Sequence, residues 1–87
     1  DPAIFVKYIG KYSAGDYGIV VISKEENKLF VQGANLPVYQ LLPASETEYF
    51  LREIQASIKF NLNDQGIANS AIINLAGNVF SVVRIPD

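Results

Sequence analysis

The sequence predicts a small all-β domain, an antiparallel up-and-down meander of about eight short strands that curls into a small barrel or half-barrel. In residues 54–63, every even position is apolar and every odd position is polar, the pattern of a strand with one buried and one wet face. Turn chemistry separates further β-branched and aromatic runs at roughly 8–12-residue spacing, which is typical of sandwiches and barrels. The connections are too short for parallel crossovers, which need about a dozen residues.

Length and composition predict one domain over residues 1–87 with one core. The chain has 87 residues, 49% of them hydrophobic, a net charge of −2 and no Cys. The Lys and Arg residues are scattered, which argues against nucleic acid as a partner. No apolar run approaches the roughly 20 residues of a transmembrane helix. Because the sequence contains no Met, we expect a leader or an upstream domain before Asp1 in the natural polypeptide.

The N-terminal segment predicts a short helix over about residues 2–8 that caps one end of the core. Asp1 can cap free N–H groups, and Pro2 is tolerated in a first turn. Gly10 is a plausible stop. The apolar residues at helical spacing are Ile4, Phe5, Tyr8 and Ile9.

The rest of the chain is predicted to be strands and turns. The expected strands cover residues 10–13, 18–23, 28–32, 38–42, 48–52, 56–62, 67–75 and 79–85. The expected turns cover residues 14–16, 24–27, 33–37, 43–47, 53–55, 63–66 and 76–78.

The last three strands also allow a prediction of pairing. A two-residue turn at Gly77-Asn78 would pair Leu75 with Phe80 and Ile73 with Val82. A four-residue turn over 63–66 would pair Leu62 with Ile67, Ile58 with Ala71 and Ala56 with Ile73. Both turns place the apolar residues on one shared face, made of Ile54, Ala56, Ile58, Phe60, Leu62, Ile67, Ala71, Ile73, Leu75, Phe80 and Val82.

Segments that imitate functional motifs are better explained as turns. Residues 61–66 resemble the start of a calcium loop, but its twelfth position, which requires a bidentate Glu, is Ile72. Residues 45–48 match a capping box, although Pro43 and the aromatic run after them favour a polar turn. The chain has no His or Cys and no nucleophilic Ser motif. We therefore expect no enzyme, no cofactor and no metal site.

The five Tyr and five Phe residues either fill the core or line a ligand cavity. An eight-stranded barrel is wide enough for its own side chains or for one small ligand. Short strands leave little depth, which favours a packed core. The alternative is a shallow site where Tyr39 or Tyr49 lies at the barrel mouth with Arg52 or Arg84 nearby.

Several segments together resemble a known family. They are residues 8–12 (YIGKY), 28–32 (KLFVQ), 41–50 (LLPASETEYF), 58–60 (IKF), 64–66 (DQG) and the closing Arg84-Ile85. In this order they are similar to the uncharacterised lipocalin-like domain at the C-terminus of bacterial β-lactamase-like (penicillin-binding-type) serine hydrolases. The resemblance covers nearly the whole chain. It implies a small antiparallel barrel that follows a catalytic domain, and a bacterial, periplasmic or secreted setting. No catalytic residue of the family has a counterpart here.

Two functions remain open. In the first, the chain is a non-catalytic accessory domain that contacts an adjacent hydrolase domain, another protein chain or a second copy of itself. The candidate residues for that surface are Ile72, Val83 and Ile85, which the predicted pairing places on the outer face. In the second, the chain is a miniature lipocalin-type binder that takes a small apolar or amphipathic ligand at the barrel mouth.

Overall fold

A computed structural model describes residues 2–33 and 37–85, with side chains described from Phe5 onward. Eight antiparallel strands form a closed barrel in sequence order. The strands are β1 (Gly10–Ser13), β2 (Ile19–Glu25), β3 (Lys28–Gln32), β4 (Val38–Pro43), β5 (Glu48–Leu51), β6 (Ala56–Leu62), β7 (Ala68–Leu75) and β8 (Asn78–Arg84). The predicted fold class is thus confirmed, and the barrel is closed rather than half-open.

Closure depends on the pairing of the first strand with the last. Tyr12 lies opposite Arg84, and Ser13 lies opposite Val83. The backbone N–H of Ile85 also donates to the Lys11 carbonyl oxygen at 2.8 Å. Because β1 and β8 satisfy each other's backbone groups here, this seam removes the two edges that an open sheet would expose.

The predicted N-terminal helix is not confirmed, because the segment Pro2–Lys7 is a 3-10 helix. Another short 3-10 turn, Gly15–Tyr17, lies between β1 and β2. Among the described residues, no helix is long and apolar enough to cross a membrane. The proposed Asp1 cap and the side chain of Ile4 lie outside the described residues, as does part of the predicted turn over 33–37.

Both predicted strand pairings are wrong by two residues. Between β7 and β8, Ile73 lies opposite Phe80 and Ala71 opposite Val82. The two-residue turn is Ala76-Gly77, with φ of 52° and 92°, one position before the predicted Gly77-Asn78 turn. Positive φ at both central residues is typical of a type I′ hairpin turn.

The hairpin between β6 and β7 departs from its predicted pairing in two steps: Leu62 pairs with Ala68 rather than with Ile67, and a bulge then shifts the pairing by one more residue. Ile58 lies opposite Ile73 and Phe60 opposite Ala71, with a shift in register between Asn61 and Leu62. The bulge adds one residue to β7 near its start. Leu62 and Ile67, predicted on the buried face, are instead exposed.

The rest of the predicted apolar face does point inward. A two-residue shift preserves the face that each side chain occupies, since the side-chain period of a strand is two. Ile58, Phe60, Ala71, Ile73 and Val82 are buried. Ile54, Ala56, Leu75 and Phe80 are partly buried against the same core.

The two turns with competing interpretations are both polar turns. In the β6–β7 turn, Asn63 Oδ1 accepts the backbone N–H groups of Gln65 (2.9 Å) and Ile67 (3.0 Å). In the β4–β5 turn, Ser45 Oγ accepts the N–H of Glu48 at 3.1 Å. The Asn63 side chain therefore closes a hairpin, and Ser45 precedes a strand rather than a helix.

Candidate functional site

One end of the barrel, here termed the plugged end, is closed by aromatic side chains. The chain enters β1 at this end, and the 3-10 helix brings Phe5 and Tyr8 into the barrel, where both are buried. The Tyr8 ring stacks on Phe60 with centroids 4.3 Å apart. It meets Tyr49 edge-on at 5.5 Å. These contacts fill the plugged end with the chain's own rings.

Hydrogen bonds from buried tyrosines fix the plug to the barrel. The Tyr12 hydroxyl donates to the Tyr8 carbonyl oxygen at 2.8 Å. The Tyr8 hydroxyl donates to the carbonyl oxygen of Glu46 in the β4–β5 turn. The neighbouring Tyr49 hydroxyl is buried and has no partner with hydrogen-bonding geometry among the described residues. An unpaired buried hydroxyl costs stability.

The same burial changes the acidity of these three phenols. Desolvation raises the pKa of Tyr49 far above its usual value, and the Tyr8 phenol beside it adds to the rise. Desolvation is also the largest cause of the raised pKa of Tyr8. For Tyr12, burial raises the pKa and the Arg84 charge offsets part of that rise. All three side chains therefore favour the neutral form in the folded protein.

The opposite end of the barrel, here termed the open end, contains an apolar cavity of about 90 Å³. The β1–β2, β5–β6 and β7–β8 connections lie at this end. The cavity is lined by Val20, Val31, Gly33, Tyr39, Leu51, Ile54, Ala56, Ile58, Ile73, Leu75 and Phe80. Apart from the Tyr39 hydroxyl, every lining side chain is hydrocarbon.

A lining of this kind does not hold water well, because a buried water needs two to four polar partners. An apolar void also costs stability, since the atoms around it lose packing contacts. An apolar group that filled the cavity would recover part of this loss.

A cleft of about 250 Å³ adjoins the cavity, and both spaces are partly open to solvent. Val20, Gly33, Leu75 and Phe80 line both spaces. The ring of Phe80 stacks on Tyr17 with centroids 4.9 Å apart and planes 30° apart. Because Tyr17 is 70% exposed, the outer side of this ring pair faces solvent. Phe80 is thus a shared wall between the cleft and the cavity.

A second feature is an exposed apolar cluster on the outer face of β7 and β8, here termed the outer patch. Ile72 is 40% exposed, Val79 64% and Val83 59%. Ile72 lies opposite Ser81, so Val79 and Val83 are its diagonal neighbours, at about 7–8 Å. Across the seam, Ser13 lies between Val83 and Ile19, and Ile19 is also exposed.

The seven predicted candidate residues do not form one site, and they lie in different parts of the barrel. Tyr39 lines the open-end cavity, and Arg52 is exposed in the β5–β6 connection at that end. Tyr49 is buried in the plug. Ile72 and Val83 lie on the outer patch, whereas Ile85, just after β8, is partly buried.

The side chain of Arg84, the remaining candidate, donates hydrogen bonds to backbone carbonyl oxygens at the plugged end. Its Nη1 donates to the Ala68 carbonyl oxygen at 3.0 Å, and its Nη2 donates to the Ile9 carbonyl oxygen. These bonds join the end of β8 to the segment before β1. The arginine therefore has a structural role in this fold.

Sequence reasoning did not identify the Tyr17–Phe80 pair, nor Val79 and Ile19 as parts of the outer patch. Tyr17 follows a glycine turn, where no periodicity indicates its direction. Val79 lies four residues before Val83 on the same strand, so the alternation of side chains along β8 could have identified it, whereas Ile19 comes near Val83 only through the pairing of β8, β1 and β2. Among the described residues, no group of three or more Asp, Glu, His or Cys side chains could hold a metal ion.

The fold and its site define a class, namely small closed antiparallel barrels with one plugged end and an apolar cavity at the other. The chain belongs to the family described as "Domain of unknown function (DUF3471)", which matches residues 1–82. Together with the relative described next, this match confirms the resemblance to a C-terminal domain of bacterial β-lactamase-like serine hydrolases.

One curated relative shows where such a domain occurs. The chain is 31% identical over 84 residues to Penicillin-binding protein 4* of Bacillus subtilis (strain 168). The match covers 97% of this chain but 18% of that protein. The chain thus spans less than a fifth of the relative's length. No solved structure matches.

Proposed function

We propose that this chain is a non-catalytic accessory domain that packs against a serine hydrolase domain of the same polypeptide. The outer patch carries this proposal. Large exposed apolar clusters on small proteins mark interaction surfaces, and Ile72, Val79 and Val83 lie together on adjacent strands. The match to a small part of a penicillin-binding protein supports a hydrolase domain as the partner.

The proposed setting is bacterial, with the protein periplasmic or secreted. Its support is the relative, which is named as a penicillin-binding protein of a bacterium. No catalytic step is assigned to this chain. Interfaces between domains of one chain bury about 600–1,500 Å². The patch would therefore form the apolar centre of a larger, more polar contact.

Methyl exposure tests the proposed contact. A soluble nitroxide broadens the NMR signals of exposed methyl groups, and it would be applied to this chain alone and to the full natural polypeptide. We expect the methyl groups of Ile72, Val79 and Val83 to be broadened in the chain alone and protected in the full polypeptide. Val38, 53% exposed on β4, is the matched control and should be broadened in both.

Three results would overturn the proposal. The first is a full reading frame without a hydrolase domain. The second is equal broadening of the patch methyl groups in both samples. The third is self-association of the chain alone that Ile72→Ser abolishes in sedimentation experiments, because the partner would then be a second copy.

The cavity favours a second candidate function, the binding of a small apolar or amphipathic ligand at the open end. Its lining is almost wholly hydrocarbon, and it adjoins a cleft that contains the polar side chain of Asn78. The cavity and the outer patch are different surfaces, so one domain can perform both functions. Protection of Leu75 and Phe80 amides from exchange on adding an apolar probe tests this function, and unchanged exchange with every probe contradicts it.

A further inference from the structure

We infer that the open-end cavity takes the end of an unbranched alkyl chain, with Phe80 as the movable wall through which the chain enters. The inference deepens the second candidate function and rests on it. It depends on the shape and lining of the cavity, on the adjoining cleft, and on the Tyr17–Phe80 ring pair.

The cavity's size limits the ligand. Its volume of about 90 Å³ is smaller than the ~150 Å³ apolar cavity that binds benzene in another protein, and far below the 300–1,000 Å³ of drug-sized sites. It has room for on the order of three to four carbon atoms, since a methylene group is about the size of a water molecule with its ~30 Å³ share. A narrow hydrocarbon end fits these limits.

The lining restricts the chemistry of the buried part. Leu51, Ile58 and Ile73 offer only hydrocarbon surface. A charged or hydrogen-bonding group would lose its water there without a partner. The buried end of the ligand is therefore apolar, and the polar group must remain outside.

The cleft provides a place for the rest of the ligand. It shares Phe80 and Leu75 with the cavity and is also lined by Asn78 and Tyr17. A chain whose end is in the cavity would pass Phe80 and lie along this cleft. The Asn78 amide could then hydrogen-bond the ligand's polar end.

The Tyr17–Phe80 ring pair lies where the alkyl chain would enter the cavity. Phe80 is partly buried, and its outer contact is Tyr17, which is 70% exposed. Rotation of the Phe80 ring must break its stacking on Tyr17 and part of its packing against the core. Side-chain rotation of this kind widens the passage for a linear chain without opening the backbone ladder.

Primary alcohols provide the test, with n-butanol to n-decanol titrated into this chain and followed by NMR. Each buried methylene contributes about 0.8 kcal/mol, which is about a four-fold tighter Kd. We expect this increment for the first few added carbons and a smaller one once the cavity is full. The terminal methyl protons should show contacts to the methyl groups of Ile58 and Ile73, and the protons beside the hydroxyl should show contacts to Asn78.

Variants test the path and the site. Ala56→Leu places three more carbons in the cavity and should weaken n-octanol binding at least ten-fold. Tyr17→Ala should speed association while the contacts to Ile58 and Ile73 persist. Val38→Ala, on the outer face of β4, is the control and should change neither. If Ala56→Leu does not fold, the contacts in the unaltered chain still decide the question.

The outcomes distinguish the alkyl-chain inference from the second candidate function on which it rests. Benzene or a branched octanol that binds as tightly as n-octanol would overturn the alkyl-chain inference and leave ligand binding in place. A folded Ala56→Leu variant with unchanged affinity would also overturn it. Failure of every probe to bind would overturn both the inference and the second candidate function.

Discussion

The guanidinium of Arg84 lies so close to the backbone of Gly10 that a β-carbon at Gly10 would be 2.9 Å from Nη2. A β-carbon at position 10 would therefore force the Arg84 guanidinium to shift. The Gly10 φ of +153° is also unfavourable for other residues. The glycine thereby allows Arg84 to reach the Ile9 and Ala68 carbonyl oxygens.

The first prediction concerns Gly10 itself. Gly10→Ala should lower the free energy of unfolding by about 1–3 kcal/mol, because strain and displacement of the guanidinium act together. Chemical denaturation measures the change. Gly15→Ala is a matched control, since Gly15 has φ +63° but open space around it and should lose only about 1 kcal/mol. Equal losses would show that the close approach has no energetic consequence.

The second prediction concerns the Arg84 side chain. Arg84→Met keeps an unbranched apolar stem but removes the guanidinium, which leaves two carbonyl oxygens without these donors. We expect a loss of about 1–3 kcal/mol in urea denaturation, as for charged hydrogen bonds in general. Arg52→Met, at an exposed position, should stay within about 0.5 kcal/mol of the original chain. The structural role fails if the two variants are equally stable.

A third prediction contrasts two buried tyrosines. The Tyr49 hydroxyl is buried without a partner, whereas the Tyr12 hydroxyl donates to the Tyr8 carbonyl oxygen at 2.8 Å. Tyr49→Phe removes an unpaired polar group and should be neutral or stabilise by up to about 1 kcal/mol, while Tyr12→Phe should destabilise by about 1 kcal/mol. Thermal and urea unfolding of both variants measure the difference. A larger loss for Tyr49→Phe would mean that its hydroxyl has a partner.

A fourth prediction concerns alkaline pH. The folded-state pKa values of Tyr8, Tyr12 and Tyr49 are raised above the ordinary value of 10.0. The unfolded chain therefore loses these protons first as pH rises, so stability is fully present below about pH 10 and falls above it. Tyrosinate absorbance and circular dichroism should show these phenols ionising together with unfolding. Tyr49→Phe should reduce the slope of stability against pH, and an unchanged slope would contradict this account.

The fifth prediction concerns the β7–β8 turn. Ala76 has φ of 52°, a left-handed conformation that costs alanine about 1 kcal/mol and that asparagine tolerates better. Ala76→Asn creates Asn-Gly, the favoured type I′ pair, and should raise the free energy of unfolding by about 0.5–1 kcal/mol. Differential scanning calorimetry provides the measurement, with Ala44→Asn in the exposed β4–β5 turn as control. If Ala76→Asn does not raise the free energy of unfolding, the left-handed conformation of Ala76 does not limit the stability of the fold.

Local pattern was enough to predict most strands. The bounds of β1, β3 and β6 were confirmed to the residue, and the alternation in β6 was confirmed except at Leu62, which is exposed. The residue-by-residue pairing between neighbouring strands could not be predicted as well as the strands themselves. Turn position sets the pairing, and both Ala76-Gly77 and Gly77-Asn78 are chemically reasonable turns.

Candidate residues were harder to predict than strands. The alternation of side chains along a strand was enough to place Ile72 and Val83 on the outer face. Tyr39 lies near a cavity and Tyr49 does not, because the N-terminal segment fills the end of the barrel where Tyr49 lies. That segment is a 3-10 helix rather than the expected helix. Arg84 was predicted near a shallow site at the barrel mouth, but its partners are backbone carbonyl groups, which leave no pattern in a sequence.

By itself, the sequence determined the all-β class, the inward set centred on Ile58, Phe60 and Ile73, and the family. These follow from local periodicity, composition and ordered motifs. Only the tertiary structure decided that β1 pairs with β8, that Tyr8 plugs one end, and that Phe80 and Tyr17 border a cavity at the other. These features depend on contacts between residues far apart in the chain, and their geometry exists only once the barrel has closed.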